Sequence, residues 1–213
     1  MPFAAQPALH PRKTPIQARS TVTVDAILEA TIQVLLTLGK ERLTTTAVAH
    51  RAGVSVGTLY QYFPNKRALL QACLKRHMNE IGESVLRACE QHRNASLFDM
   101  ADSLIYAYLA AKMRDVKTSA ALYAVASDIE GHAIAQTTSS RSLHVIASLF
   151  ATARERLTKD PELIASVVVS TLNGISRRIL ESKSPERTIG PLREELLVLV
   201  HAYLQTCIAG VNA

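Results

Sequence analysis

The chain has 213 residues, enough for one large domain or two small ones and for a core that needs no disulfide staples. Hydrophobic residues make up 48% and charged residues 20%, which excludes a wholly disordered chain, and no run approaches the roughly eighteen consecutive apolar residues of a membrane-spanning helix. The net charge of +6 is uneven: residues 1–75 hold nine Lys/Arg against three acids and the rest fifteen against fifteen, so a polyanionic partner is expected for the first third only.

In chain order, Pro2, Pro7, Pro11 and Pro15 lie in a segment with no apolar core. They argue against a signal peptide and for a flexible arm carrying Arg12, Lys13 and Arg19. Ile27, Ala30, Val34, Leu35 and Leu38 recur at helical spacing, so a first helix is predicted over Val24–Leu38, stopped by Gly39. A compact unit follows from Thr44 to Phe63. Asn65 then caps a long helix from Lys66 to about His92, long enough to link two domains. Asn94-Ala95-Ser96 breaks the chain. Helices are predicted over Leu97–Met113, Thr118–Glu130 and, after Gly131, Thr137–Leu157. Asp160-Pro161 opens a further helix to about Glu181. Residues 184–191 read as a loop, and a last helix runs from Pro191 to Ile208. Strand-like alternation is absent, so the fold class is all-α, with about nine helices.

The unit Thr44–Phe63 has the spacing of a helix-turn-helix. Ala49 is small where two helices must cross, and Gly53 stands where the turn needs a left-handed backbone. Val48, Val54 and Leu59 fall on the inner faces, and Thr44 and Ser55 each precede a helix as capping residues. The second helix would lie in the major groove of DNA, with Thr58, Tyr60, Gln61 and Tyr62 offering hydroxyls and an amide to base edges. The helix starts near Thr45 and Lys66 present backbone N–H groups suited to phosphates.

Five segments from Ala26 to Leu70 carry a family resemblance. They are Ala26–Ala30, Thr44–Ala49, Ala52–Ser55, Thr58–Phe63, and Asn65-Lys66 with Leu69-Leu70. In combination they resemble the DNA-binding domain of the TetR (tetracycline repressor) family of bacterial transcriptional regulators. The resemblance implies a homodimer on a palindromic operator of double-stranded DNA, released by a small-molecule effector bound in the C-terminal domain. An alternative is a regulator of the same fold that answers to a protein partner or acts as an activator. DNA contacts carry over to Thr45, Thr46, Ser55, Val56, Gly57, Thr58, Tyr60, Gln61, Tyr62 and Lys66. The expected division is a basic arm (1–20), a three-helix DNA-binding domain (21–72) and a helical ligand-binding and dimerisation domain (73–213).

No motif stands out beyond about Leu74. The apolar helix after Pro161, with a line of small residues at Ser166, Ser170 and Gly174, and the last helix are expected to form a four-helix dimer interface. Pocket candidates are the aromatic or polar residues inside apolar helices: Tyr106, Met113, Tyr123, His144, Phe150, Asn173 and Arg177. An apolar or aromatic effector is expected, because no acidic or strongly polar constellation appears in this part.

No phosphate loop, nucleophile elbow, H-E-x-x-H or C-x-x-C is present, so an enzyme is not expected. Cys73 with His77 and Cys89 with His92 each supply two ligands where a structural zinc needs four. Neither a metal nor a cofactor is expected. Cys73, Cys89 and Cys207 lie far apart, which fits a reduced, cytoplasmic compartment.

Overall fold

The computed structural model describes residues 16–129 and 142–209. Arg12 and Lys13 of the expected arm, the side chain of Arg19 and the first residues of the helix predicted from Thr137 lie outside them. Among the described residues the fold is all-α. Its helices are α1 (Ile16–Arg42), α2 (Thr45–Ala52), α3 (Val56–Tyr62), α4 (Lys66–Glu90), α5 (Leu97–Arg114), α6 (Val116–Val125), α7 (142–150), α8 (Pro161–Leu180) and α9 (Pro185–Gln205). A 3-10 turn, Ala126–Ile129, extends α6.

Two apolar cores organise these helices. The first joins Ile27, Leu28 and Leu35 of α1 to Val48, Leu59, Leu69, Cys73 and Leu74. It also takes in Leu122, Val125 and Ile129 from α6 and its 3-10 extension. The second gathers Ile81, Val85 and Cys89 of α4 with the inner faces of α5, α7, α8 and α9. One helix, α4, therefore serves both cores, as its length implied, and α6 reaches from the second half of the chain into the first core. Polar ties reinforce these contacts. Arg76 on α4 lies within 3.9 Å of Asp25 and 3.7 Å of Glu29 on α1, and Gln71 donates to the Ile129 carbonyl at 2.8 Å.

Three predicted boundaries move. The first helix begins at Ile16 rather than Val24; Val22, ahead of the predicted start, is exposed and so adds nothing to the apolar periodicity. Its predicted stop stands: Gly39 breaks the helical path at φ 76, ψ 170, a left-handed φ that favours glycine. The predicted loop 184–191 is helix. Pro185 takes the first turn, where its missing N–H costs nothing, and Pro191 is carried inside α9 at the loss of one helical hydrogen bond.

The helix predicted over Thr137–Leu157 ends near Phe150 among the described residues. Its last third is drawn into tertiary hydrogen bonds instead. Arg154 N–H donates to Ala95 O at 3.0 Å and Glu155 accepts the N–H of Leu97 at 2.9 Å, and just beyond the predicted end Thr158 N–H donates to Cys207 O at 2.8 Å. By length and hydropathy α1 and α8 match membrane-spanning helices. Part of each apolar surface packs into the two cores, while Leu36 and Leu38 on α1 and Leu163 and Val167 on α8 stay exposed.

Candidate nucleic-acid interface and apolar cavity

The α2–α3 unit is set by its caps and its buried side chains. Thr44 Oγ1 accepts the N–H of Ala47 at 3.1 Å, Ser55 Oγ that of Thr58 at 2.9 Å, and Asn65 Oδ1 that of Ala68 at 2.9 Å. Each such cap contributes about 1 kcal/mol. Gly53 closes α2 with φ 67, ψ 28, its N–H bonded to the carbonyls of Ala49 and His50. Val48, Ala49 and Leu59 are buried and Val54 is half-buried, so the two helices cross on their small and branched residues. Arg51 Nε donates to Gln33 Oε1 at 2.6 Å and pins α2 to α1.

Packing of that inner face leaves a polar face outside. Thr46, Ser55, Val56, Gly57, Tyr60 and Gln61 are exposed, while Thr45, Thr58, Tyr62 and Lys66 are half-buried. Several are tied down. Thr45 Oγ1 and the Tyr60 hydroxyl are 3.1 Å apart, and Ser55 Oγ and Thr58 Oγ1 2.8 Å apart, so both pairs are pre-positioned. Tyr62 packs against the first core. Lys66 Nζ donates to the Lys40 carbonyl, which places its charge at the break in α1. A Cβ at Gly57 would touch only Ser55 Oγ, at an ordinary 3.7 Å, so nothing inside the subunit demands glycine there. The first turns of α2, α3 and α4 carry no acidic side chain, which leaves the positive helix ends open to anions.

The second core contains a cavity between α4, α5, α7 and α8. The space within reach of a water's centre is about 80 Å³. That is several times the roughly 10–15 Å³ that a single water requires. Ile81, Val85, Leu104, Ile146 and Leu172 supply aliphatic wall, while Tyr108, Lys112 and Asn173 supply polar atoms. The Tyr108 hydroxyl donates to Asn173 Oδ1 at 2.7 Å, and burial pushes its phenol up to about 12. Burial pushes Lys112 down to about 8. His77, on α4, is within 3.0 Å of Ser119 Oγ and is held down to about 4, chiefly by burial and then by the nearby Lys112 charge.

Two sequence models establish the kinship. One, described as "Bacterial regulatory proteins, tetR family", matches residues 27–73. The other, described as "Tetracyclin repressor-like, C-terminal domain", matches residues 96–204, half of the chain. The chain belongs to the TetR family.

Among curated relatives, the HTH-type transcriptional repressor KstR of Mycolicibacterium smegmatis is 45% identical over 62 residues, 29% of this chain and 30% of that protein. The curated relatives are matched over 25% to 37% of their own length. A solved TetR-family regulator from Mesorhizobium loti superposes with a TM-score of 0.72 at 20% identity, covering 90% of this chain and 99% of that one. Another, from Streptomyces coelicolor, gives 0.63 at 25% identity over 87% of this chain and 99% of that one. The first of these likenesses speaks for the fold alone.

All seven pocket candidates fall within the stretch matched by the C-terminal TetR model, but only Asn173 of them lines the cavity. Phe150 is wholly buried in the core, and Met113 packs against it from the side. Tyr106 is 48% exposed beneath the Arg193 guanidinium, 5.1 Å from its ring. His144 is exposed and 3.5 Å from Glu162. Arg177 is paired with Glu181 at 2.9 Å and lies over Tyr123 at 5.5 Å. Aromatic or polar character inside a helix does not say which way the residue turns.

Sequence reasoning misses Tyr108 and Lys112 for the same reason. The signal available was their i, i+4 spacing on α5, in register with the apolar Leu104. The thiols of Cys73 and Cys89 are buried and pushed up to about 12 and about 11, chiefly by burial, so both are neutral packing groups. Among the described residues no three His, Cys, Asp or Glu side chains gather as a metal site.

Proposed function

We propose that this chain is a homodimeric transcriptional repressor rather than an enzyme. It binds a palindromic operator through α2 and α3 and is released when a small-molecule effector fills the cavity. The observation that carries the DNA reading is the outward face of α3, where Gly57, Tyr60 and Gln61 stand exposed on the basic third of the chain. In this reading Thr46, Ser55, Val56, Tyr60 and Gln61 meet the groove. Thr45, Thr58, Tyr62 and Lys66 support or flank them at the phosphates, and Gly57 admits the backbone closely. Residues 21–72 read DNA, residues 73–213 dimerise and bind the effector, and the arm before residue 21 adds phosphate contacts. The protein acts in the cytoplasm.

An exposed apolar stripe supports the dimer. Leu163 and Val167 with Ser170 and Gly174 line one face of α8, and Val198 and Leu199 with Ala202 one face of α9. These residues point away from the subunit's own core, and a Cβ at Gly174 would meet nothing within 4 Å. Release is a population shift. The two α3 helices must sit about 34–36 Å apart to enter successive major grooves, and an effector that favours another spacing disfavours the bound state. Both α4 and α6 connect the cavity's core to the DNA-binding core.

Fluorescence anisotropy on DNA upstream of the protein's own gene tests the reading, at near-physiological salt with competitor DNA. Nanomolar, competitor-resistant binding is expected. Weak binding that vanishes with salt would count against sequence-specific control.

A further inference from the structure

The cavity is aliphatic along most of its wall and polar at one place, where Tyr108, Lys112 and Asn173 converge. Lys112 Nζ lies 5.6 Å from the centroid of the Tyr108 ring. Among the described residues no carboxylate lines the cavity and no acidic neighbour offsets the burial of this ammonium. Even with its proton held less tightly, Lys112 is mainly charged at pH 7. Lys112 and Tyr108 are half-buried and Asn173 is exposed, so this polar end lies at the mouth of the cavity, where a partly desolvated cation attracts an anion more strongly than one in water.

The neighbouring groups have the matching polarity. The Tyr108 hydroxyl donates to Asn173 Oδ1, so that oxygen is occupied and the amide N–H groups remain as donors. Donors suit an anionic or carbonyl oxygen. The single ammonium neutralises a single negative charge, whereas a dianionic phosphate would leave its second charge without a partner against the aliphatic wall.

We propose that the cavity binds a monocarboxylate with an apolar body, its carboxylate on Lys112 and its body along Ile81, Val85, Leu104, Ile146 and Leu172. This rests on the reading of the cavity as the effector site. The anchor is wired to both connecting helices: Ser119 Oγ on α6 donates to the Lys112 carbonyl at 2.9 Å and meets His77 Nε2 of α4 at 3.0 Å. A carboxylate that draws Lys112 inward pulls on the start of α6, whose far end is packed in the DNA-binding core.

The test is calorimetric titration of the full-length protein at pH 7 with octanoate and with octan-1-ol, which share a chain length and differ in charge. Octanoate is expected to bind at least about tenfold more tightly. Lys112→Met keeps an apolar stem and removes the charge, so it should bring octanoate down to the alcohol's affinity, while Lys112→Arg should keep the preference. Equal binding of the two ligands by the wild type, no heat from either at millimolar concentration, or a preference that survives in Lys112→Met would each overturn the proposal. The wild-type comparison decides even if a variant does not fold. Anisotropy with operator DNA is a separate readout. Octanoate binding that leaves DNA affinity unchanged would overturn effector release and leave the carboxylate site standing.

Discussion

Gln61 stands exposed on α3 and makes no hydrogen bond within the described residues, so its amide is available to a base edge. Gln61→Ala should weaken operator binding by about 1–3 kcal/mol, the worth of one bidentate base contact, and leave the melting temperature unchanged. Anisotropy and a thermal melt on the same preparation check both halves; a lowered melting temperature would mean that the side chain supports the fold instead. His77 makes a prediction of a different kind. Its folded pKa of about 4 lies below the usual imidazole value of 6.5, so the unfolded chain binds more protons between those values. Stability from this residue is fully present above about pH 6.5 and is lost as pH falls toward 4. His77→Gln should flatten the fall in melting temperature between pH 6.5 and 4.5 relative to the wild type.

At the scale of elements, α4 decides how the two cores communicate. Leu69, Leu70, Cys73 and Leu74 belong to one core, and Ile81, Val85 and Cys89 to the other. Inserting one alanine between Leu74 and Ile81 would rotate one half by about 100° against the other. The expected result is a protein that still binds effector, by calorimetry, but no longer changes its DNA affinity. Intact coupling would shift the role to α6, which also joins the two cores. Much of this organisation was legible beforehand. The long helix, the left-handed Gly53, the stop at Gly39 and the caps Thr44, Ser55 and Asn65 are local events, set by a single backbone angle or one side-chain hydrogen bond. The reach of α6 into the first core was not legible, because Leu122 and Val125 look like any apolar residues until a partner surface is present.

For the whole molecule, the exposed stripe on α8 and α9 is the feature a lone subunit leaves unexplained. Leu199 is 54% exposed and Val198 66% exposed on a helix whose other face is fully buried at Leu196, Val200 and Leu204. Leu199→Glu should therefore disturb the subunit little and the dimer greatly. Sedimentation should show the wild type as a dimer at micromolar concentration and the variant as a monomer. Operator affinity should fall by orders of magnitude, because each half-site would then be bound without its partner. A variant that sediments as a dimer would remove this face from the interface. Both apolar sides of these helices were visible as sequence, but not their division between core and surface.

What the sequence by itself determined is local or periodic: an all-helical chain, a helix-turn-helix with its glycine and its caps, a basic first third, and the family. These follow from backbone angles, helical periodicity and charge, which need no distant partner. Only the tertiary structure decided which way side chains turn. It drew residues 151–157 out of the predicted helix through bonds from this stretch to the α4–α5 turn and from the following Thr158 to the end of α9, and carried α9 back through Pro191 to Pro185. It also buried Phe150, left Tyr106 outside, and brought Tyr108 and Lys112 of α5 together with Asn173 of α8, with Tyr108 and Asn173 65 residues apart in sequence. Such a constellation depends on the rotation of each helix about its axis, and that rotation is chosen by the packing of all the others.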